Sequence, residues 1–242
     1  MKKRLDTILT EKNIVESRHK AQAMILAGQV FVNNIKVNKP GKKFTEDIEI
    51  EIKALPKFVS RGGLKLEYAL NQFNVEVRDK ICMDVGASTG GFTDCLLQYG
   101  ANKVYAIDVG YGQLHYKLRN NPKVINIEKC NFRYIKSNKI LDLIDLCTID
   151  VSFISLKLIV PKCLDFLKDN GEIIALIKPQ FEAGKDEVGK GGIVKDSNIH
   201  EKVISNLKDF FSSINLSILG LVESPILGQK GNKEFLIYLK KL

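Results

Sequence analysis

The sequence predicts an α/β fold: a mostly parallel sheet that ends in an antiparallel pair of strands, preceded by a small α+β module. Three observations carry this expectation. Beyond residue 60, short apolar runs alternate with amphipathic stretches, the pattern of parallel strands covered by helices on both faces. The last two apolar runs are joined by a Pro/Gly-rich segment in place of a helix, which makes them an antiparallel pair. Before residue 54 the pattern differs, with two short helical stretches followed by short strands.

In the first module, Leu5, Ile8 and Leu9 stand at helical spacing. Ser17 opens a second helix as its N-cap, Ala21, Met24 and Ile25 form its apolar face, and Gly28 closes it. Val30–Val32 and Ile35–Val37 flank Asn33-Asn34, a pair that tolerates the positive φ of a tight hairpin turn. Pro40-Gly41 breaks the chain, and Ile48, Ile50 and Ile52 then alternate with acids as a one-sided strand. Residues 1–53 are therefore expected to form one domain, residues 54–60 with Pro56 a linker, and residues 61–242 a second domain. In the second, strands are expected at Ile81–Val85, Val104–Asp108, Val124–Ile127, Leu143–Ile149 and Glu172–Ile177, with the closing pair near Ile214–Glu223 and Glu234–Leu239.

Composition narrows the function classes. Hydrophobic residues are 45% and charged residues 27% of the 242, enough apolar side chains for an ordinary globular core. The longest uncharged run, Ala21 to Ile35, is 15 residues. A spanning helix needs roughly 20, so no membrane span is expected. The basic N-terminus meets Asp6 before any apolar stretch, so no secretory signal is read and a cytoplasmic chain is expected. The sequence does not give the oligomeric state, and a monomer is the favoured expectation. Cys82, Cys95, Cys130, Cys147 and Cys163 lie far apart without a Cys-x-x-Cys, and there are only three histidines. That spacing suits neither a disulfide framework nor a zinc site, so the cysteines are expected as buried thiols and no metal is expected. The net charge is +9, and residues 1–43 hold ten Lys/Arg against three acids, +7 of it. Positive charge this dense on a small segment suits a polyanionic partner, whose counterions it displaces.

Asp84-Val85-Gly86-Ala87-Ser88-Thr89-Gly90-Gly91-Phe92 follows the first strand of the larger domain. A glycine turn at a strand's carboxyl end lets a ligand approach the backbone in the usual crevice of such sheets. Asp108 ends the next strand, where a carboxylate can accept both hydroxyls of a ribose. Dinucleotide enzymes and methyltransferases share this arrangement. Two details favour an adenosyl cofactor. Ser88 stands where Gly-x-Gly-x-x-Gly would have its second glycine, and Asp84 suits an ammonium group but would repel a pyrophosphate. The fourth strand ends Thr148-Ile149-Asp150-Val151-Ser152-Phe153, without the Asn/Asp-Pro-Pro-aromatic sequence common where amino nitrogens are methylated. The fifth runs into Lys178-Pro179-Gln180-Phe181-Glu182, where Lys178 is either a solvated strand-end lysine or a base facing the crevice.

Six segments together resemble the TlyA (haemolysin A) family of ribosomal RNA 2′-O-methyltransferases along essentially the whole chain. They are Ser60 to Leu66, Asp84 to Asp94, Asp108 to Leu114, Asp150 to Leu156, Lys178 to Glu182, and Gly189 to Val194. Residues 1–60 resemble the RNA-binding module of the small-subunit ribosomal protein uS4, and residues 61–242 a catalytic domain related to the FtsJ/RrmJ methyltransferases. The resemblance implies a class I (Rossmann-like) methyltransferase sheet, S-adenosylmethionine as cofactor, and a Lys–Asp–Lys–Glu tetrad at Lys65, Asp150, Lys178 and Glu234. In that reading Lys178 takes the proton of a ribose 2′-hydroxyl, while Asp150 and Glu234 orient the two ammonium groups. It places Asp84, Gly86, Ser88 and Gly90 around the methionine end of the cofactor, Asp108 at its ribose, and Val109 and Asn131 at its adenine. Arg4, Lys12, Ser17, Arg18 and Lys20 would face RNA in the N-terminal module. The implied substrate is a ribose, a cytidine's, in ribosomal RNA. The early first helix and the end directly after the last strand match the shorter form of the family, which acts on the large subunit. The competing expectation is a pore-forming haemolysin, the activity for which the family was first named.

Overall fold

The computed structural model describes residues 2–53 and 56–242, so Ala54 and Leu55 of the expected linker lie outside the described residues. The chain divides into two compact units, 1–57 and 58–242.

The first unit contains β1 (Lys3–Arg4), α1 (Leu5–Glu11), α2 (Arg18–Leu26), β2 (Val30–Val32), β3 (Ile35–Lys36), β4 (Lys43–Phe44) and β5 (Ile50–Ile52). Strand β2 lies between β3 and β5, antiparallel to both, and β1 pairs with β4. Ser17 caps α2 by accepting from the Lys20 amide at 3.2 Å, and Asn33 and Asn34 turn the hairpin at φ of 49° and 63°. Leu5, Leu9, Ala21, Ile25, Val30 and Val32 bury the apolar faces against one another.

One feature of this unit has no signature in the apolar pattern. Asp6, in the first turn of α1, is fully buried. Its carboxylate accepts from Arg4 at 3.0 and 2.8 Å, from Gln22 Nε2 at 2.7 Å and from Arg18 Nε at 3.2 Å. The Arg4 bonds, then those of Gln22 and Arg18, hold this carboxyl well below the usual carboxylate range against a burial that opposes them. Three segments are tied by one side chain.

The second unit carries a seven-stranded sheet built from β6 (Ile81–Val85), β7 (Lys103–Ile107), β8 (Val124–Ile127), β9 (Ile144–Ile149), β10 (Leu167–Ile177), β11 (Leu216–Glu223) and β12 (Phe235–Lys241). The spatial order is β11-β12-β10-β9-β6-β7-β8. Strands β6 to β10 are mutually parallel, and β12 runs antiparallel to both of its neighbours. The expected mostly parallel sheet with an antiparallel end is borne out. Strand β10 starts earlier than Glu172, at Leu167, because the chain turns through Asn170 at φ 61° and rejoins β9 after a register shift.

The helices are α3 (Gly62–Phe73), α4 (Gly91–Gln98), α5 (Tyr116–Arg119), α6 (Val160–Cys163), α7 (Pro179–Glu182) and α8 (Ser197–Ser213). Strand alternation sorts the core into two layers. Met83, Cys147, Ile173, Ala175 and Ile177 point to the side that buries Val203, Leu207 and Phe211 of α8. Cys82, Leu146, Ile174, Leu176 and Leu236 point to the other, against Leu66 and Leu70 of α3 and Leu96 of α4. The chain direction of successive crossovers reverses at β6, which opens a crevice at the carboxyl ends of β6 and β9.

Replacing Asp6 with Ala leaves two guanidinium groups and an amide without their acceptor. The expected loss is roughly 1–3 kcal/mol, read as faster hydrogen exchange in α1 and α2 of the full chain. Because the folded carboxyl lies below its ordinary value of about 4, its contribution is complete above that pH and fades as the pH falls further. The Asp6→Ala protein should lack that acid-side loss of protection.

Candidate active site at the carboxyl edge of the sheet

Parity along the strands decides which side chains meet. Asp150 follows Leu146 and Thr148 on the α3 side of the sheet, and Lys178 follows Ile174 and Leu176 on the same side. Strand β12 runs the other way, so Glu234 precedes Leu236 and Tyr238 and reaches the same edge. Lys178 and Glu234 stand one step beyond the last paired residues, Ile177 and Phe235. Helix α3, packed on this side through Leu66, Ala69 and Leu70, adds Lys65.

The four charges form two pairs. Lys65 Nζ lies 2.5 Å from Glu234 Oε2, and both residues are buried, at 8% and 3% exposure. Lys178 Nζ lies 2.5 Å from Asp150 Oδ1 and donates to Ser152 Oγ at 3.0 Å. All four line a cavity of about 290 Å³, together with Gln180, Gly228 and the glycine loop. A second cavity, of about 440 Å³, shares Gly86, Ser88, Asp150 and Ser152 with the first and is walled further by Asp108, Val109, Asn131, Phe132, Ile154 and Ile159.

The glycine loop is shaped by backbone bonds. The amides of Gly86 and Ala87 both reach the Ile107 carbonyl, and Gly86 adopts φ 87°. A Cβ on Gly86 would stand 2.4 Å from the Asp150 carbonyl oxygen, so only glycine lets β6 turn this close to β9. Gly90 opens α4 at φ 94°, where a Cβ would meet Leu118 at 2.3 Å. Ser88, at φ 49°, donates its amide to Asp108 Oδ2 at 2.7 Å, and the Gly110 amide donates to Asp108 Oδ1 at 2.7 Å. Asp108 is thus fixed at the rim, Val109 beside it is 73% exposed, and Asn131 caps the Phe132–Tyr134 turn through the Arg133 amide at 3.2 Å while also lining the larger cavity.

Asp84 and Gly90 are the members of the expected cofactor set that stand in neither cavity wall among the described residues. The parity that sends Cys82 toward α4 sends Asp84 there too. It is fully buried and accepts from Thr93 Oγ1 at 2.6 Å and Thr148 Oγ1 at 3.3 Å. Burial pushes its carboxyl up to about 7, with the Asp150 charge adding and the Thr93 bond opposing. The residue read as a partner for an ammonium group thus bonds to α4 and β9 and stands outside both cavity walls.

Within the first unit, Arg4 and Arg18 hold the buried Asp6, Lys12 Nζ donates to the Glu46 carbonyl at 2.8 Å, and Lys20 pairs with Glu16 at 3.0 Å across one helical turn. Ser17 is a helix cap. Several site residues were missed by reading the sequence. Ser152 was passed over beside Asp150, Thr93 was passed over within the Asp84 to Asp94 segment, and the Thr148 hydroxyl carries no spacing signal because its partner lies on another strand. All five cysteines are free thiols, four of them buried.

Residues 58–241 match the family model described as FtsJ-like methyltransferase. The chain belongs to the FtsJ-like methyltransferase family. Residues 3–50 match the S4 domain. Hemolysin A of Brachyspira hyodysenteriae is 45% identical over 97% of this chain and 98% of its own length. The 16S/23S rRNA (cytidine-2′-O)-methyltransferase TlyA of Mycobacterium tuberculosis is 36% identical over 98% of this chain and 89% of its own. A solved chain from Streptococcus thermophilus, 46% identical, superposes with a TM-score of 0.76 over 99% of this chain and 88% of that one. The resemblance drawn from the six segments is borne out. Among the described residues, no helix of this methyltransferase is long and apolar enough to cross a membrane.

Asp84 makes a prediction about pH. The native carboxyl, at about 7, keeps a proton that the unfolded chain releases near its ordinary value of about 4. Stability of the second unit therefore falls as the pH rises between those values, by at most about 1.4 kcal/mol per pH unit. In denaturant titrations across pH 4–7, Asp84→Asn should flatten that slope; an unchanged slope would assign it elsewhere.

Proposed function

We propose that this methyltransferase transfers a methyl group from S-adenosylmethionine to the 2′-oxygen of a ribose in ribosomal RNA, a cytidine's, with the large subunit as the first substrate to test. The observation that carries the reading is the meeting of Lys65–Glu234 and Lys178–Asp150 in one cavity that adjoins a larger one behind the glycine loop. A relative 36% identical over nearly the whole chain bears the name of an rRNA cytidine 2′-O-methyltransferase, which supports the same substrate class.

The larger cavity suits an adenosyl group by the chemistry of its walls. Val109, Phe132 and Ile159 offer apolar surface to a purine. Asp108 has one loop amide on each oxygen and retains lone pairs for ribose hydroxyls. Gly86 and Ser88 stand in the walls of both cavities and would border the methionine end, with Asn131 near the adenine. Asp84 and Gly90 would act there indirectly, by supporting the loop. When bound, S-adenosylmethionine supplies a methyl on a sulfonium, an electrophile for a ribose oxygen.

The protein's own part is proton handling and placement. A ribose 2′-hydroxyl is a weak acid, and Lys178 Nζ takes its proton. The ammonium that results would be held by Asp150 Oδ1 and Ser152 Oγ, which stand 2.5 and 3.0 Å from Nζ. Lys65, fixed by Glu234, keeps a second positive charge at the wall where the oxygen becomes negative. Holding oxygen and methyl in line can contribute on the order of 7–11 kcal/mol. In the N-terminal unit, Asp6 holds Arg4 and Arg18 by some of their five N–H groups each, leaving others for phosphates. Lys12, Ser17 and Lys20 would complete the face toward RNA.

Methyl transfer from labelled S-adenosylmethionine should mark a ribose in one purified ribosomal subunit, mapped by ribonuclease digestion. Lys178→Ala should slow it about 10²–10⁴-fold without loss of folding. Full activity in that variant would remove Lys178 from the chemistry, and label on a base or on protein would overturn the substrate.

A further inference from the structure

The loops that carry Asp150 and Lys178 are joined at points beyond the four charged side chains. Glu182 closes α7, one turn after Lys178, and its carboxylate reaches the loop after β9. Oε2 accepts from Ser155 Oγ at 2.6 Å, and Oε1 accepts from the Leu156 amide at 2.8 Å. Ser155 in turn caps the Leu156–Leu158 turn, accepting from the Lys157 amide at 3.1 Å. Between the same loops, the rings of Phe153 and Phe181 lie with centroids 4.8 Å apart. Residues 178, 181 and 182 thus grip residues 150, 152, 153, 155 and 156.

Two features set Glu182 apart from an ordinary loop acid. An O–H and an N–H both point at it, and a carboxylate, unlike an amide, has an acceptor on each oxygen. It forms no ion pair among the described residues, and burial pushes its carboxyl above the usual range. A half-buried carboxylate held by neutral donors costs some stability that an uncharged side chain would not. Its return lies in what it holds.

We propose that Glu182 is a positioning residue: it fixes the loop 150–156 so that Asp150 and Ser152 meet the Lys178 ammonium in the arrangement that methyl transfer uses. This rests on the function proposed above. Without Glu182, the loop keeps its hydrophobic anchor at Leu156, which is buried, but loses the hydrogen bonds that set its height against β10. The result is a looser contact at Lys178, not an unfolded chain.

The test compares Glu182→Ala, Glu182→Gln and Ser155→Ala in the full-length protein. The Gln variant keeps one acceptor and removes the half-buried charge. We expect kcat to fall about 10–100-fold in Glu182→Ala and less in Glu182→Gln and Ser155→Ala, with KM for the ribosomal subunit and cofactor affinity within about twofold. The Gln variant should melt no lower than the parent despite its slower turnover. A second readout needs no activity: acylation of Lys178 by an amine-reactive reagent, followed by peptide mass spectrometry, should run several-fold faster in all three variants. Parental turnover in both Glu182 variants, or a loss that only tracks the folded fraction, overturns the proposal. If the parent methylates no ribose yet Lys178 acylation still accelerates, the positioning role stands and the function reading falls. Unchanged acylation overturns the positioning role alone.

Discussion

The Lys65–Glu234 pair constrains the second unit more than any other contact. An ammonium and a carboxylate 2.5 Å apart and almost fully buried are tolerable only together, because either alone would be an uncompensated charge in a low-dielectric interior. The pair therefore ties the first turn of α3 to the start of β12, two segments 169 residues apart. Both residues line the cavity over the ends of β9 and β10, at the edge that Lys178 also reaches. A stack of aliphatic residues would hold α3 to the sheet at lower cost. The protein places charges there, and the cost buys an electrostatic environment.

Much of the larger unit was legible in the sequence because strand burial writes itself in apolar runs. Ile81–Val85 and Val124–Ile127 coincide with observed strands residue for residue. The convergence of Asp150, Lys178 and Glu234 came from the family resemblance, and strand parity explains it: each continues an alternation already visible in Leu146-Thr148, Ile174-Leu176 and Leu236-Tyr238. Lys65 could not be placed by parity, since a helix residue meets the sheet only through packing that the sequence does not state.

What the sequence hides are bonds between distant polar side chains. Asp6 reads as an ordinary acid of a first helical turn, yet Arg4 from β1 and Arg18 and Gln22 from α2 converge on it. Glu182 reads as the tail of a motif, and its partners lie 26 and 27 residues earlier. Asp84 was read by its charge and by the family resemblance. Its parity is that of Asp150, and what sets it apart is depth: it lies within β6, fully buried, where Asp150 stands beyond the end of β9.

That placement bears on the electrostatics of the whole edge. Asp84 and Asp150 end adjacent strands on the same side of the sheet, and the charge of Asp150 is among the causes that raise Asp84. Two carboxylates so placed cannot both be negative cheaply, and Asp84, which has no cation partner among the described residues, is the one whose carboxyl burial raises to about 7. Thr93 and Thr148 donate to its two oxygens and oppose that rise. The edge then pairs each lysine with one carboxylate, Lys65 with Glu234 and Lys178 with Asp150. In the proposed reaction the oxygen that becomes negative would meet Lys65, held in place by Glu234, while Lys178 takes the proton.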